Sequence, residues 1–216
     1  MNKVAIIVPH GDDEALGFGG VIQKHVLNGD IVTVTICRAS HDERTKTQLS
    51  DSHKAKEILK YQNIRHLLIS EDTISNRPLD LYKALEKELS DINPDILYTT
   101  FWGDNHQDHN ITYEAVRRLV RVWGPLKVGS FLVGEIPSST DQSPKISHNM
   151  FLPNKYIELT QEQLNLKIQA MQAYSTEQKY MPHPRSPYGI EILSRSRGME
   201  CGREFAECFM TIREIE

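Results

Sequence analysis

Cysteine is scarce in this chain and scattered: Cys37, Cys201 and Cys208 are the three among 216 residues. An odd number without paired spacing gives neither a disulfide framework nor a four-cysteine zinc site. No charged-then-apolar leader stands before Val4. These absences favour a reducing compartment, and we predict a cytoplasmic protein.

Long apolar runs and excess basic charge are also missing. No segment approaches the roughly 20 apolar residues that span a bilayer. The 25 Lys and Arg residues stand against 29 Asp and Glu, a formal net charge of -4. Such a chain offers no basic field for a phosphate backbone, which argues against nucleic acid as the main partner. We expect a soluble protein with a small-molecule partner, and the oligomeric state stays open.

Short apolar runs of strand length alternate with longer amphipathic stretches along the chain. The runs predict strands at 4–9, 31–37, 66–70, 95–100, 127–133 and 205–212. The amphipathic stretches predict helices at 14–28, 47–61, 79–90, 111–122 and 161–178. This alternation is typical of an open, mostly parallel sheet with helices on both faces. We therefore predict a Rossmann-like α/β fold in one domain over residues 1–216.

Two polar clusters follow predicted strands. The first is His-Gly-Asp-Asp-Glu at 10–14, and the second is Asp-Asn-His-Gln-Asp-His at 104–109. In an open α/β sheet, ligands bind at the carboxyl ends of the strands, near the point where strand order reverses. If the fourth strand lies beside the first, as in the commonest doubly wound order, the two clusters face each other.

The donor types in these clusters suit a metal. Ionised carboxylates at a partly buried strand end are costly unless a cation neutralises them. Histidine nitrogen with aspartate oxygen suits zinc, and three protein ligands with an open position are typical of a catalytic site. One histidine and one aspartate from the first cluster and one histidine from the second complete such a set. A spare carboxylate can then take a proton from water and a spare histidine can hold an oxyanion, so the residues predict metal-assisted hydrolysis.

Other interpretations stay open on these residues alone. Asp12 and Asp13 suit the start of a helix, and His106 and His109 suit a solvated loop. The glycines at 17–20 also suggest a nucleotide-binding turn, although a complete G-x-G-x-x-G fingerprint is missing and acids stand where a pyrophosphate needs bare amides. The alternative function is a non-catalytic module that binds a sugar or a nucleotide.

The two clusters resemble the two motifs of the PIG-L, or LmbE-like, zinc-dependent N-deacetylases, in the same order. Residues 167–178 are similar to a helix of that family and residues 194–209 to its closing segment, so the resemblance covers nearly the whole chain. It implies hydrolysis of the acetamide of an N-acetylated sugar, such as N-acetylglucosamine, or of a glycoconjugate precursor. The products are acetate and a free amine.

The resemblance also implies roles, position by position. Zinc, or another divalent ion such as Fe²⁺, is expected on His10, Asp13 and His109, and Asp12 is expected as the general base. His106 is expected to assist the oxyanion or the leaving amine, with Asp108 orienting it.

The chain departs from the family pattern at Gly11 and Gln107, where prolines are common, and at two arginine positions. Gln48 and Asn105 stand where family members often carry arginines. In those members, the arginine at the position of Gln48 lies in the helix after the second strand and binds the substrate. We expect another residue to orient the substrate, and Arg38, Arg44 and Arg77 are the candidates.

Overall fold

Seven strands form one sheet at the centre of the structure, a computed structural model that describes residues 1–39 and 43–215. The strands are β1 (Lys3–Val8), β2 (Ile31–Ala39), β3 (Asn63–Ser70), β4 (Ile96–Thr100), β5 (Ser130–Gly134), β6 (Lys155–Leu159) and β7 (Phe205–Glu214). Their order in the sheet is β3-β2-β1-β4-β5-β7-β6. The first five strands in this order pair in parallel, and β7 runs antiparallel to β5 and β6. The predicted position of β4 beside β1 is confirmed.

Helices cover both faces of the sheet. They are α1 (Asp13–Leu27), α2 (Glu43–Leu59), α3 (Glu71–Asn76), α4 (Pro78–Ile92), α5 (Gln107–Leu119), α6 (Gln161–Ala173) and α7 (Pro187–Cys201). Val4, Ile6 and Val8 of β1 pack towards α1, α2, α6 and α7, whereas Ala5 and Ile7 pack towards α3, α4 and α5. Because side chains alternate along a strand, a strand covered on both faces is apolar throughout, as β1 is. The predicted mostly parallel α/β fold is confirmed.

Some helix boundaries differ from the predictions for reasons of local hydrogen bonding. The helix predicted over 161–178 ends at Ala173, because the amide and hydroxyl of Ser175 both donate to Asp51 Oδ2, at 3.0 and 2.9 Å. The helix predicted from residue 111 begins at Gln107, because His106 caps it. The short helix α3 has no counterpart among the predictions.

Glycines in α1 allow close packing against other parts of the chain. A Cβ atom at Gly17 would lie 2.5 Å from Ile136 Cδ1, and one at Gly20 would lie 2.5 Å from Leu159 Cδ2. Protein side chains therefore occupy the space next to these glycines, which argues against the nucleotide-binding alternative. None of the helices within the described ranges is long and apolar enough to cross a membrane.

A buried ion pair joins the sheet, α1 and α6. Lys167 Nζ lies 2.6 Å from Glu207 Oε1, and the two side chains are only 5% and 4% exposed. The same carboxylate accepts the backbone amides of Gly20 and Val21, each at 2.7 Å. Glu207 thus satisfies one buried ammonium and two buried amides.

We expect Glu207→Ala to lower the free energy of unfolding by about 3–5 kcal/mol, because it leaves a buried ammonium without its counter-charge. Urea unfolding followed by circular dichroism measures this. Glu158→Ala is the matched control, since Glu158 pairs with Arg203 at 3.4 Å on the surface and such pairs contribute about 0–1 kcal/mol. Equal losses in the two variants would contradict the assigned role of Glu207.

Candidate active site

The two polar clusters meet at the carboxyl edge of the sheet. The first follows β1 and continues into α1, and the second follows β4 and continues into α5. Because β1 and β4 are paired neighbours, their following loops lie side by side. The ring centroids of His10 and His106 are 4.5 Å apart, and those of His10 and His109 are 5.3 Å apart.

Three donor atoms form a small triangle at this junction. Asp13 Oδ2 lies 3.1 Å from His10 Nδ1 and 3.3 Å from His109 Nε2, and the two nitrogens are 3.3 Å apart. Zinc bonds of about 2.0–2.1 Å in tetrahedral geometry keep ligand atoms about 3.3 Å apart. The three atoms therefore have the spacing that one such ion requires.

The outer nitrogens of both histidines are bound to carboxylates. His10 Nε2 lies 3.0 Å from Asp108 Oδ2, and His109 Nδ1 lies 2.9 Å from Asp104 Oδ2. Asp104 Oδ2 also accepts the hydroxyl of Thr140 at 2.9 Å. Metal-binding histidines usually donate their second ring N–H to such a partner, which leaves the other nitrogen free for the ion. No role was predicted for Asp104, although its position five residues before His109 brings it within reach.

The charges around the triangle also fit a divalent cation. Burial raises the pKa of Asp13, but His109 and His10 outweigh it and hold that pKa well below its usual range. Burial opposes protonation of His109, yet Asp13 and Asp104 raise its pKa to about 10. Asp13 Oδ1 is buried and has no hydrogen-bond partner among the described residues. An anionic carboxylate with an unsatisfied oxygen between two imidazoles is an environment that a divalent ion stabilises.

Asp12 stands at the N-cap position of α1, but its side chain does not cap the helix. Its φ of 108° is in a region that non-glycine residues rarely adopt, a kind of strain that clusters at functional sites. Arg185 Nη1 donates to Asp12 Oδ2 at 2.8 Å. Burial and the neighbouring Asp13 raise the pKa of Asp12 to about 8, against the opposing charge of Arg185. A carboxylate with a pKa near neutrality suits a general base, so simple capping does not account for Asp12.

His106 is exposed and fixed in one orientation by α5. Its Nδ1 accepts the backbone N–H of Asp108 at 3.2 Å, which leaves the proton of the neutral ring on Nε2. Partial desolvation of its ring lowers the pKa of His106, and the neighbouring His10 and His109 lower it further. A neutral imidazole with its N–H directed away from the helix end is suited to donate to a substrate oxygen.

Asp108 contacts His10 through its side chain and His106 through its backbone N–H. Its carboxylate bonds His10 Nε2 and, at 3.3 Å, Arg38 Nη1 rather than the ring of His106. Asp108 orients His106 through its backbone N–H, because it lies in the first turn of α5, where amides have no partner within the helix.

The positions of the missing family arginines lie in different surroundings. Gln48 donates to Glu177 Oε1 at 3.5 Å, and Asn105 is exposed. Arg38 bonds Asp108, Arg77 is exposed at the start of α4, and the side chain of Arg44 lies outside the described residues.

Arg185, which contacts Asp12, was missed by sequence reasoning because 173 positions separate the two residues and no motif links them.

A wider grouping of donors includes His106. One ring nitrogen each of His10, His106 and His109 lie within 4.8 Å of one another. The triangle with Asp13 is tighter, and His106 is the exposed member. The fold and the donor set together are typical of an α/β metal-dependent hydrolase.

A comparison with protein families agrees with this class. The model of the PIG-L family, described as GlcNAc-PI de-N-acetylase, matches residues 5–120, more than half of the chain. The chain therefore belongs to the PIG-L family, and the family predicted from the two motifs is confirmed. Among curated proteins, none matches the chain in sequence.

Solved structures share the fold at low sequence identity. The A40926 pseudoaglycone deacetylase Dbv21 is 16% identical with a TM-score of 0.79, over 99% of this chain and 98% of its own. N,N'-diacetylchitobiose deacetylase from Pyrococcus horikoshii is 17% identical with a TM-score of 0.75, over 98% and 84%. GalB, the 4-carboxy-2-hydroxymuconate hydratase from Pseudomonas putida KT2440, is 16% identical with a TM-score of 0.70, over 97% and 96%. These likenesses establish the fold.

We expect His109→Ala to lose nearly all bound metal and His106→Ala to retain about one divalent ion per chain, because only His109 belongs to the tight triangle. Inductively coupled plasma mass spectrometry on zinc-loaded, dialysed protein measures the content. Both variants replace an imidazole at the start of α5 by a methyl group, so each controls for the other. Equal loss would mean that His106 is also a ligand.

Proposed function

We propose that the chain is a zinc-dependent hydrolase that removes the N-acetyl group from an N-acetylated sugar or glycoconjugate precursor. The observation that carries this proposal is the triangle of His10 Nδ1, Asp13 Oδ2 and His109 Nε2. The residue before Asp13 in the chain, Asp12, adds a carboxylate that is not one of the three donors. A non-catalytic binding module would not need a strained carboxylate there. One domain over residues 1–216 and a cytoplasmic location remain predictions.

We assign a different role in amide hydrolysis to each residue in and around the triangle. His10, Asp13 and His109 would hold a divalent ion, which would supply Lewis-acid chemistry for an amide carbonyl and for water. Asp12, the carboxylate next to the triangle that is not one of its three donors, takes the proton from the attacking water. His106 donates its Nε2 proton towards the carbonyl oxygen or the departing amine. Asp108 and Asp104 keep the two metal-binding imidazoles in their orientation.

The proposed substrate class is inferred from the family and from the structurally similar proteins. The family model is named for a de-N-acetylase, and Dbv21 and the chitobiose enzyme are deacetylases by name. GalB, a hydratase with the same fold, provides the second candidate reaction, addition of water without cleavage. The two reactions differ in their products, because only deacetylation releases acetate and a primary amine.

We expect zinc-loaded protein to release acetate and primary amine in equal amounts from at least one compound in a panel of N-acetylated sugars. The panel includes N-acetylglucosamine glycosides, acetylated disaccharides and nucleotide sugars. Fluorescamine detects the amine and an enzymatic assay the acetate, with metal-stripped protein as the control. Hydration of an unsaturated carboxylic acid, with no amine released from the panel, would contradict the proposal.

We expect Asp12→Asn to keep its metal and to lose at least about 10²-fold in kcat, because an amide cannot accept the proton from water. Asn preserves the size of the side chain, so the variant separates proton transfer from packing. Metal content and initial rates on the best substrate of the panel are the measurements. Wild-type rates in this variant would refute Asp12 as the general base.

A further inference from the structure

Arg185 reaches from the far end of the chain into the candidate site. It lies in the segment 174–186 between α6 and α7, just before Ser186, whose hydroxyl caps α7 by accepting the amide of Gly189 at 3.0 Å. Its Nη1 donates to Asp12 Oδ2 at 2.8 Å, and its Nε donates to the Ser138 hydroxyl at 2.6 Å. One planar guanidinium thus joins the first cluster to the loop after β5.

The orientation of the Asp12 carboxylate depends on this contact. The Asp12 side chain makes no capping hydrogen bond to the amides of α1, and the residue is 3% exposed. Within the part of the chain that the structure describes, Arg185 is the side chain that bonds its Oδ2, and Oδ1 receives no hydrogen bond. Arg185 therefore fixes one oxygen of the carboxylate and leaves the other available.

The segment that carries Arg185 is itself anchored near the site. Ser175 donates twice to Asp51 of α2, and Glu177 accepts the side-chain amide of Gln48 at 3.5 Å. Glu177 Oε2 also lies 3.9 Å from Arg185 Nη1. The guanidinium is held between Asp12, Ser138 and Glu177, so its position is determined by the fold and does not depend on a ligand.

We propose that Arg185 is a positioning residue that holds Asp12 Oδ2, which leaves Asp12 Oδ1 free to accept the proton of the attacking water. This inference rests on the proposed function, in which Asp12 is the general base. The planar guanidinium donates to Asp12 and Ser138 at the same time. A lysine ammonium is a single point charge and does not reproduce that geometry.

Steady-state kinetics of Arg185→Ala tests the proposal. We expect unchanged metal content and KM, with kcat reduced by about 100-fold, since a misplacement of about 1 Å in a reacting group costs a factor of that size. Arg185→Lys should recover only part of the loss. Added guanidinium, well below unfolding concentrations, should raise kcat of Arg185→Ala but not of Asp12→Asn.

Two control variants separate positioning from a purely structural role. Arg195→Ala removes an arginine of α7 that pairs with Glu191 and Glu204 on the surface, and it should leave kcat and KM unchanged. Ser138→Ala removes the second partner of Arg185 but not its contact with Asp12, and it should keep most of kcat. A loss in Ser138→Ala equal to that in Arg185→Ala, or an unchanged kcat in Arg185→Ala, overturns the proposal.

A second measurement tests the role of Arg185 if the wild-type protein hydrolyses no amide. That outcome would be a failure of the proposed function itself. Crystal structures of wild type and Arg185→Ala then compare the Asp12 carboxylate directly. We expect a fixed carboxylate in the wild type and a rotated or disordered one in the variant. The same carboxylate orientation in both structures would overturn the inference about Arg185.

Discussion

The structure of the site depends on the placement of one buried carboxylate, Asp13, between two imidazoles. His10 and His109 direct one nitrogen each at its Oδ2 and the other nitrogen at Asp108 and Asp104. This arrangement concentrates negative charge in a poorly solvated place, which is unfavourable unless a cation is present. Metal binding and the burial of the cluster are therefore two aspects of the same electrostatic constraint.

The residues of the site come from two parts of the chain, one inside and one outside the range that the family model matches. All three donors of the triangle lie within residues 5–120, the part that the family model matches. The surroundings of Asp12 come from later segments, since Ser138 follows β5 and Arg185 precedes α7. The metal-binding part thus lies within the matched residues, whereas Arg185, which contacts Asp12, and its partner Ser138 lie beyond them.

The sequence predicted those features that local pattern determines. Alternating apolar runs and amphipathic stretches gave the sheet, and the position of two His/Asp clusters after strands predicted where they meet. The ends of α5 and α6 were misplaced because a histidine cap and the bonds of Ser175 to Asp51 determine them. The contacts of Arg185, Asp104 and the Asp108 carboxylate were not predicted, since each depends on side-chain positions that spacing along the chain does not reveal.

The most direct measurement of the central claim is an anomalous difference map, collected at the zinc absorption edge from crystals of the zinc-loaded protein. The account predicts a single strong peak bonded to His10 Nδ1, Asp13 Oδ2 and His109 Nε2, with the His106 ring outside bonding distance. A peak coordinated by His106 in place of Asp13, or no peak at this junction, would contradict it.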